Sequence, residues 1–203
     1  MFHRSKKIIG MPVISLADGQ ALGKVKRLII DPQKLCIAGL ALDRKGWFKE
    51  QPVIPYSHVK NVGSHAVTVD HAAAVSKLSS LPDLEMLSKN PVGLLGAKVI
   101  TEEGTVLGVV EDFVFDPQDG KIHYLELKGY LWQGKTSLPA EVITTCGRDA
   151  LIARSGAENS LRRSKSFNAF PGWESAASAG QKISHSLGRY LQHLPWVGKK
   201  DQP

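Results

Sequence analysis

Few of the residues that could carry out chemistry stand at the spacing that a reaction or a metal site requires. The seven histidines never form a ligand set with the cysteines or aspartates, whereas zinc sites place such ligands at short, fixed separations. The sequence contains no Gly-x-Ser-x-Gly elbow, phosphate-binding glycine loop or His-Glu-x-x-His motif. It therefore predicts a protein that is not an enzyme and uses neither a metal nor a cofactor. The histidines are His3, His58, His65, His71, His123, His185 and His193.

Individual residues that could take part in a reaction or bind a metal have simpler structural explanations. His123, inside a predicted strand, is more typical of a structural histidine than of a proton carrier. Glu102 and Glu103 fall at a predicted hairpin turn, where carboxylates are well solvated. Cys36 and Cys146 stand at different places in the two halves of the chain, so they indicate neither a disulfide framework nor a metal site.

Charge is distributed unevenly along the 203 residues, whose net charge is +7. Ten basic residues stand against five acidic ones in residues 5–70, six against nine in 91–154, and seven against three from 155 onward. No apolar run approaches the roughly 18 residues of a membrane-spanning helix, and the start is too short for a signal peptide core. We expect a cytoplasmic protein that can associate peripherally with a membrane.

Two copies of one pattern of turns and apolar residues fill most of the chain. Each copy has an apolar strand, a glycine turn, a second strand with an early glycine, and an Asp-Pro turn. The Asp-Pro turn of repeat two contains Asp119-Gly120, whereas repeat one has Lys34-Leu35 there. The pattern indicates a duplicated domain. The matched pairs, at an offset of 85, are Gly19/Gly104, Leu22/Leu107, Gly23/Gly108, Asp31/Asp116, Pro32/Pro117, Ile37/Ile122, Leu40/Leu125 and Leu42/Leu127.

Many short strands separated by turns favour a mainly β fold made of small barrels or sandwiches. We assign the first barrel to residues 5–70 and the second to 91–154. The strands predicted in repeat one are Ile8–Ile14, Leu22–Ile30, Ile37–Leu42, Trp47–Ile54, Val59–Val62 and Ala66–Val69.

The apolar-apolar-Gly opening, the Leu-Gly-x-Val strand, the Asp-Pro turn and the Ile-x-x-Leu strand resemble those of the PRC-barrel family. That domain is a small β-barrel named for the H subunit of the photosynthetic reaction centre and is also found in the ribosome maturation factor RimM. The resemblance covers both repeats and implies two barrels in tandem that dock onto larger assemblies. Because its residues build turns and core, it says more about fold than about function.

Residues 71–90 between the repeats are predicted to be a linker with one short helix. Leu78, Leu81, Leu84 and Leu87 recur at steps of three, and Pro82 suits the first position of a helix. We expect these leucines to pack on a barrel, with a partner-binding helix as the alternative.

The basic tail, residues 155–203, is predicted to contain an amphipathic helix over about 173–194. Arg162 and Arg163 precede this helix, and Trp196 follows it. Three interpretations stay open: docking on the acidic second barrel, lying on an anionic membrane, or recognition of another protein or RNA. The residues on one face of the helix are Trp173, Ala176, Gly180, Ile183, Leu187, Tyr190 and Leu194.

One difference between the repeats inverts charge on a conserved apolar framework. Lys26-Arg27 aligns with Glu111-Asp112, and Lys24 adds a charge to the first of these strands. Either these are solvated positions whose charge has drifted, or the barrels present opposite surfaces to each other or to two partners. Complementary charges of this kind steer association and fix its register.

We therefore predict a non-catalytic adaptor with a protein partner, which docks onto a larger assembly or a membrane surface. The alternative is a RimM-like ribosome-assembly factor. Direct DNA binding is not expected, because aromatic residues are not interleaved with basic ones on the barrels. The predicted interaction surface consists of Lys24, Lys26, Arg27, Glu111, Asp112, Arg162, Arg163, Trp173, Ile183, Leu187, Tyr190, Leu194 and Trp196.

Overall fold

Two curled β-sheets of matching topology form the part of the chain that the computed structural model describes. The predicted mainly β fold with two tandem barrels is confirmed. The predicted helix over about 173–194 lies outside the described residues. Those residues are 2–43, 51–89, 91, 93–129 and 135–163.

Repeat one forms the seven-stranded sheet, with strand order β6-β7-β2-β3-β4-β5-β8. A two-residue strand and a one-turn helix precede it, and a longer helix follows it. The elements are β1 (His3–Arg4), α1 (Ser5–Ile8), β2 (Pro12–Ser15), β3 (Ala21–Asp31), β4 (Cys36–Asp43), β5 (Pro52–Pro55), β6 (Val59–Val62), β7 (Val67–Val69), β8 (Ser76–Lys77) and α2 (Pro82–Lys89), with single 3-10 turns at Tyr56–His58, Ala72–Ala74 and Leu78–Ser80.

Repeat two forms the other sheet in the same order, β13-β14-β9-β10-β11-β12-β15, and β1 adds to β10 outside this path. The elements are β9 (Lys98–Thr101), β10 (Val106–Phe115), β11 (Ile122–Lys128), β12 (Lys135–Pro139), β13 (Ile143–Cys146), β14 (Ala150–Ala153) and β15 (Arg162–Arg163), with 3-10 turns at Ala140–Val142 and Ala157–Ser160.

The long strands β3 and β10 bend because each carries bulges at equivalent places. Gly23 and Gly108 lie next to the first bulge, with φ of 143° and 156°. A Cβ on Gly108 would approach the Lys128 carbonyl oxygen to 2.6 Å. At Gly108 the neighbouring strand therefore comes too close for any side chain.

A single cluster of buried apolar side chains includes residues of both sheets. Leu22 and Leu40 of repeat one and Leu107 and Leu125 of repeat two are fully buried in it. The apolar residues that match between the repeats thus form the interior.

The first predicted strand, Ile8–Ile14, is wrong in its first half. Ile8 ends helix α1 and is fully buried, and the strand begins only at Pro12. Between them Gly10 takes a φ of 84°, which turns the chain before the strand starts. Of the predicted strand Trp47–Ile54, residues 47–50 lie outside the described part of the chain.

The linker helix is confirmed as α2, which begins at Pro82 as predicted. Its Leu84 is 7% exposed and packs with Ile29, Ala41 and Val53 of the first sheet. The other three leucines of the linker are half-buried around this cluster. Within the described residues, no helix is both long enough and apolar enough to cross a membrane.

The sheets extend past the predicted barrel limits of residues 70 and 154. Strand β8 pairs with β5, and β15 pairs with β12. Each of these outer strands is only two residues long. Such short strands in polar sequence carry no periodic pattern, which explains why the repeat did not predict them.

The two barrels are joined by a pair of backbone hydrogen bonds. The Ile37 N–H donates to the Gly120 carbonyl oxygen at 2.9 Å, and the Ile122 N–H donates to the Leu35 carbonyl oxygen at 2.8 Å. Because Leu35 matches Gly120 and Ile37 matches Ile122, the two bonds are equivalent to one another.

At the centre of this junction Cys36 lies opposite Lys121. These two residues are themselves equivalent at the offset of 85. A residue that pairs with its own counterpart places a local pseudo-two-fold axis at that pair. The junction is therefore a small antiparallel ladder that the duplication generates from one sequence.

Tyr56 fills the space beside the junction. Its hydroxyl donates to the Pro117 carbonyl oxygen at 3.0 Å, and its ring meets Phe115 edge-on, with centroids 6.5 Å apart. Burial raises the pKa of Tyr56, so that the hydroxyl stays protonated as a donor. Leu35 takes a φ of 47°, whereas the matching Gly120 has 75°, so both repeats adopt the left-handed conformation at this point.

Gly120→Ala should destabilise the protein more than Gly104→Ala does. A Cβ at Gly120 would lie 2.9 Å from both the Ile37 carbonyl oxygen and the Tyr56 ring, while one at Gly104 meets nothing within 4 Å. Both glycines have positive φ, which costs alanine roughly 1–2 kcal/mol, and the clash adds about 1–3 kcal/mol at Gly120 alone. Urea unfolding measures both losses, and equal losses would contradict the described junction.

Candidate interaction surface

The charge-inverted residues lie at matching bulges in the long strands. The pairing of β3 skips Lys26, between Val25 and Arg27, and the pairing of β10 skips Glu111 in the same way. Because of this bulge, the two neighbouring residues in Lys26-Arg27 and in Glu111-Asp112 have different surroundings. Arg27 and Asp112 are the inner members of these pairs, and Lys26 and Glu111 are the outer members.

Asp112 is 5% exposed and is bound within the chain. Its Oδ1 accepts hydrogen bonds from the Ser5 hydroxyl at 2.5 Å, the Phe113 N–H at 2.9 Å and the Lys6 N–H at 3.3 Å. Helix α1, at the start of the first repeat, is therefore held on a strand of the second barrel. Asp112 is not part of an open surface.

Arg27 holds the other helix. Its Nη2 donates to the Ser88 hydroxyl at 2.5 Å, in the last turn of α2. Two equivalent positions with opposite charge thus each anchor a short helix, and they bind hydroxyl and backbone groups of these helices rather than each other. At this pair the charge inversion serves internal packing.

The N-terminal clasp, residues 2–8, makes further contacts with the second barrel. Arg4 donates to Glu126 Oε1 from Nη2 at 2.6 Å and from Nε at 3.0 Å, and the Glu126 side chain is 6% exposed. Strand β1 pairs with the end of β10. The Phe2 ring lies 4.7 Å from the His123 ring between centroids, in keeping with the structural role predicted for this histidine.

The outer members differ in exposure, since Lys26 is exposed and Glu111 is half-buried. Lys24 and Lys26 are exposed on the first barrel. Glu111 Oε2 lies 3.0 Å from Lys135 Nζ on the second. The hydrogen bond from Lys135, helped by the charges of Lys135, Lys6 and Lys128, lowers the pKa of Glu111. The same hydrogen bond raises the pKa of Lys135.

Of the predicted tail residues, the described part of the chain includes Arg162 and Arg163. Both are exposed in β15, opposite Ser137 and Thr136 of β12. The remaining predicted residues lie outside the described part of the chain: Trp173, Ile183, Leu187, Tyr190, Leu194 and Trp196.

Sequence reasoning missed a row of lysines across the second sheet. Lys98 pairs with Val109, Val109 with Lys128, and Lys128 with Lys135. All three lysines are exposed. They are 30 and 7 residues apart in the chain, so only the pairing register brings them together. A comparison of each lysine with its counterpart in repeat one would have marked them, since no counterpart is basic.

A cavity of about 550 Å³ opens beside the junction, lined by residues of both repeats and of α2. Asp31, Lys34 and Asp119 lie at it together with Cys36. Burial raises the pKa of the Cys36 thiol, which keeps it in the poorly nucleophilic protonated form. Among the described residues, no group of three His, Cys, Asp or Glu side chains could hold a metal ion.

Comparison with known proteins identifies the repeated unit. The family model for the PRC-barrel domain matches residues 1–75 and 93–159, which together are well over half of the chain. A search of the curated proteins finds no match.

Arg4→Met should lower the free energy of unfolding by roughly 2–3 kcal/mol, because the buried Glu126 carboxylate then lacks its counter-charge. The double variant with Glu126→Met should regain at least half of that loss, since no buried charge is left. Lys34→Met is the control: it breaks the exposed pair with Asp31 and should change stability by less than about 0.5 kcal/mol. Chemical denaturation tests this, and fully additive single losses would contradict a paired Glu126.

Proposed function

The chain belongs to the PRC-barrel family, and we propose that it is a non-catalytic adaptor that docks onto a larger protein assembly or a membrane surface. Each barrel would bind through its outer face. The junction and the N-terminal clasp would keep the two faces in a fixed relation, as a bridging protein requires.

The observation that carries this proposal is that one duplicated scaffold presents two different outer faces. On β3 of the first barrel, Lys24 and Lys26 are exposed. The matching positions on β10 of the second barrel are Val109 and Glu111. Because turns and core are kept while these faces differ, the two barrels are suited to different partners.

The sheet edges favour binding through faces rather than by strand addition. The strands at both ends of each sheet are short: β8 and β15 have two residues, and β6 and β13 have four. Short edge strands offer few unpaired backbone groups to an incoming strand. A partner would therefore be recognised by side chains, where the two barrels differ.

A RimM-like role in ribosome assembly is the second candidate. It is favoured by the net charge of +7 and by the exposed lysines of the second sheet, since basic surfaces attract RNA phosphates. Against it, the chain has a second barrel where RimM has a different N-terminal domain. The same experiment separates the two roles.

We expect the full chain, used as bait in a native lysate, to recover a discrete set of acidic proteins. A bait with Lys24→Glu and Lys26→Glu should lose at least one of them, because the charge of the first face is reversed. A bait with Lys60→Glu and Arg148→Glu, two other exposed positions, has the same change in net charge. This bait should still recover the protein that the first variant loses. Mass spectrometry of the eluates scores the result.

If both altered baits lose the same protein, the net charge of the bait, and not the face that carries Lys24 and Lys26, determines binding. Recovery of small-subunit ribosomal proteins together with RNA would favour the assembly-factor role instead.

A further inference from the structure

The lysine row is a continuous line of neighbours across four strands, β9, β10, β11 and β12. In an antiparallel sheet, directly paired residues project to the same side with Cβ atoms roughly 5 Å apart. Lys98, Lys128 and Lys135 therefore project from one side of the sheet, with Val109 between the first two. Their exposure places this side toward solvent.

This arrangement is unfavourable for folding. Like charges directly opposite one another in a sheet are destabilising, and Lys128 faces Lys135 in this way. Within the described residues, Glu111 forms an ion pair with Lys135, while Lys98 and Lys128 have no carboxylate within 4.0 Å. Residues that oppose local stability are expected where a surface has a function.

The scaffold itself does not require the lysines. The counterparts of Lys98, Lys128 and Lys135 in repeat one are Pro12, Asp43 and Gln51, because the offset between the repeats is 86 before the first glycine turn, 85 through the long strands and 84 from the fourth strand onward. The first barrel forms the same sheet with none of these positions basic. The row is therefore a property of the second barrel alone.

Exposed apolar side chains lie close in sequence to basic ones. Leu95, three residues before Lys98, is 46% exposed, and its counterpart Ile9, two residues after Lys7, is 44% exposed. Lys6 of the N-terminal clasp is also exposed, and its charge, like that of Lys128, lowers the pKa of Glu111. Surfaces that bind the membrane interface combine aliphatic residues with basic ones, whereas single-stranded nucleic acid sites combine basic residues with aromatic stacking platforms.

We propose that the lysine row binds the anionic headgroups of a phospholipid membrane, so that the second barrel lies on the bilayer through this side of its sheet. The inference rests on the proposed function, for which it names one partner. It needs no protein partner, so vesicle binding and protein capture succeed or fail separately.

The test is co-flotation of the full chain with vesicles of phosphatidylcholine, with and without 30% phosphatidylserine. The row variant carries Lys98→Gln, Lys128→Gln and Lys135→Gln. Each basic residue near an anionic surface contributes roughly fivefold to binding. Loss of three lysines should therefore lower the vesicle partition coefficient of the row variant on the order of 100-fold. Binding by other parts of the chain is shared by the row variant and its matched control, so the difference between these two variants isolates the row.

The matched control carries Lys121→Gln, Arg148→Gln and Arg154→Gln. These three side chains are exposed on the same barrel outside the row, so net charge falls by the same amount. Their vesicle binding should stay within about threefold of the unchanged chain, since they do not face the membrane.

Glu111→Gln supplies a test in the opposite direction. Removal of the carboxylate beside Lys135 leaves the row more positive and should raise binding to anionic vesicles by roughly fivefold. This variant keeps all three lysines, and so it tests the proposal even if the triple variant does not fold.

Absence of binding to anionic vesicles by the unchanged chain would overturn the proposal. Equal loss in the row variant and the matched control would also overturn it, because net charge alone would then explain binding. Binding of RNA that depends on the row, without binding of vesicles, would assign the row to nucleic acid and reject the membrane.

Discussion

Two backbone hydrogen bonds, from Ile37 to Gly120 and from Ile122 to Leu35, hold the barrels together where the two copies of the sequence meet. Their geometry is a consequence of duplication, because a short antiparallel ladder centred on equivalent residues needs one sequence to supply both sides. The rest of the described unit depends on it. The apolar core continues from one sheet to the other, and Tyr56 can fill the space beside Gly120 because that residue has no side chain.

Two segments strengthen this arrangement, and each lies on the barrel that its place in the sequence does not predict. The N-terminal clasp, at the start of the first repeat, lies on the second barrel, bound by Asp112 and Glu126. Helix α2, which joins the barrels, lies on the first through Leu84 and Arg27. Arg27 and Asp112, whose charges differ between the repeats, thus bind the two helices α2 and α1. The exposed lysines form the clearest remaining contrast between the outer faces.

Most of the fold follows from the sequence, since matching glycines, Asp-Pro turns and apolar residues specify the same local structure twice. Helix α2 was predictable from Pro82 and the leucine spacing. The one-turn helix α1 was not, because Ile8 continues the apolar pattern of the strand after it and only Gly10 separates them. The burial of Asp112 depends on the distant Ser5, and the alignment of Lys98 with Lys128 and Lys135 depends on strand register. Neither long-range relation is encoded in local periodicity, so the candidate surface was identified only in part.

An adaptor of this kind requires that the two barrels move and unfold as one body. Native-state hydrogen exchange of the full chain tests this most directly at the amides of Ile37 and Ile122. If the junction is part of the common core, these amides exchange only through global unfolding, with the same protection free energy as the core amides of Leu40 and Leu125. Rapid exchange at Ile37 and Ile122 while Leu40 and Leu125 stay protected would contradict the account, because the barrels would then separate without unfolding.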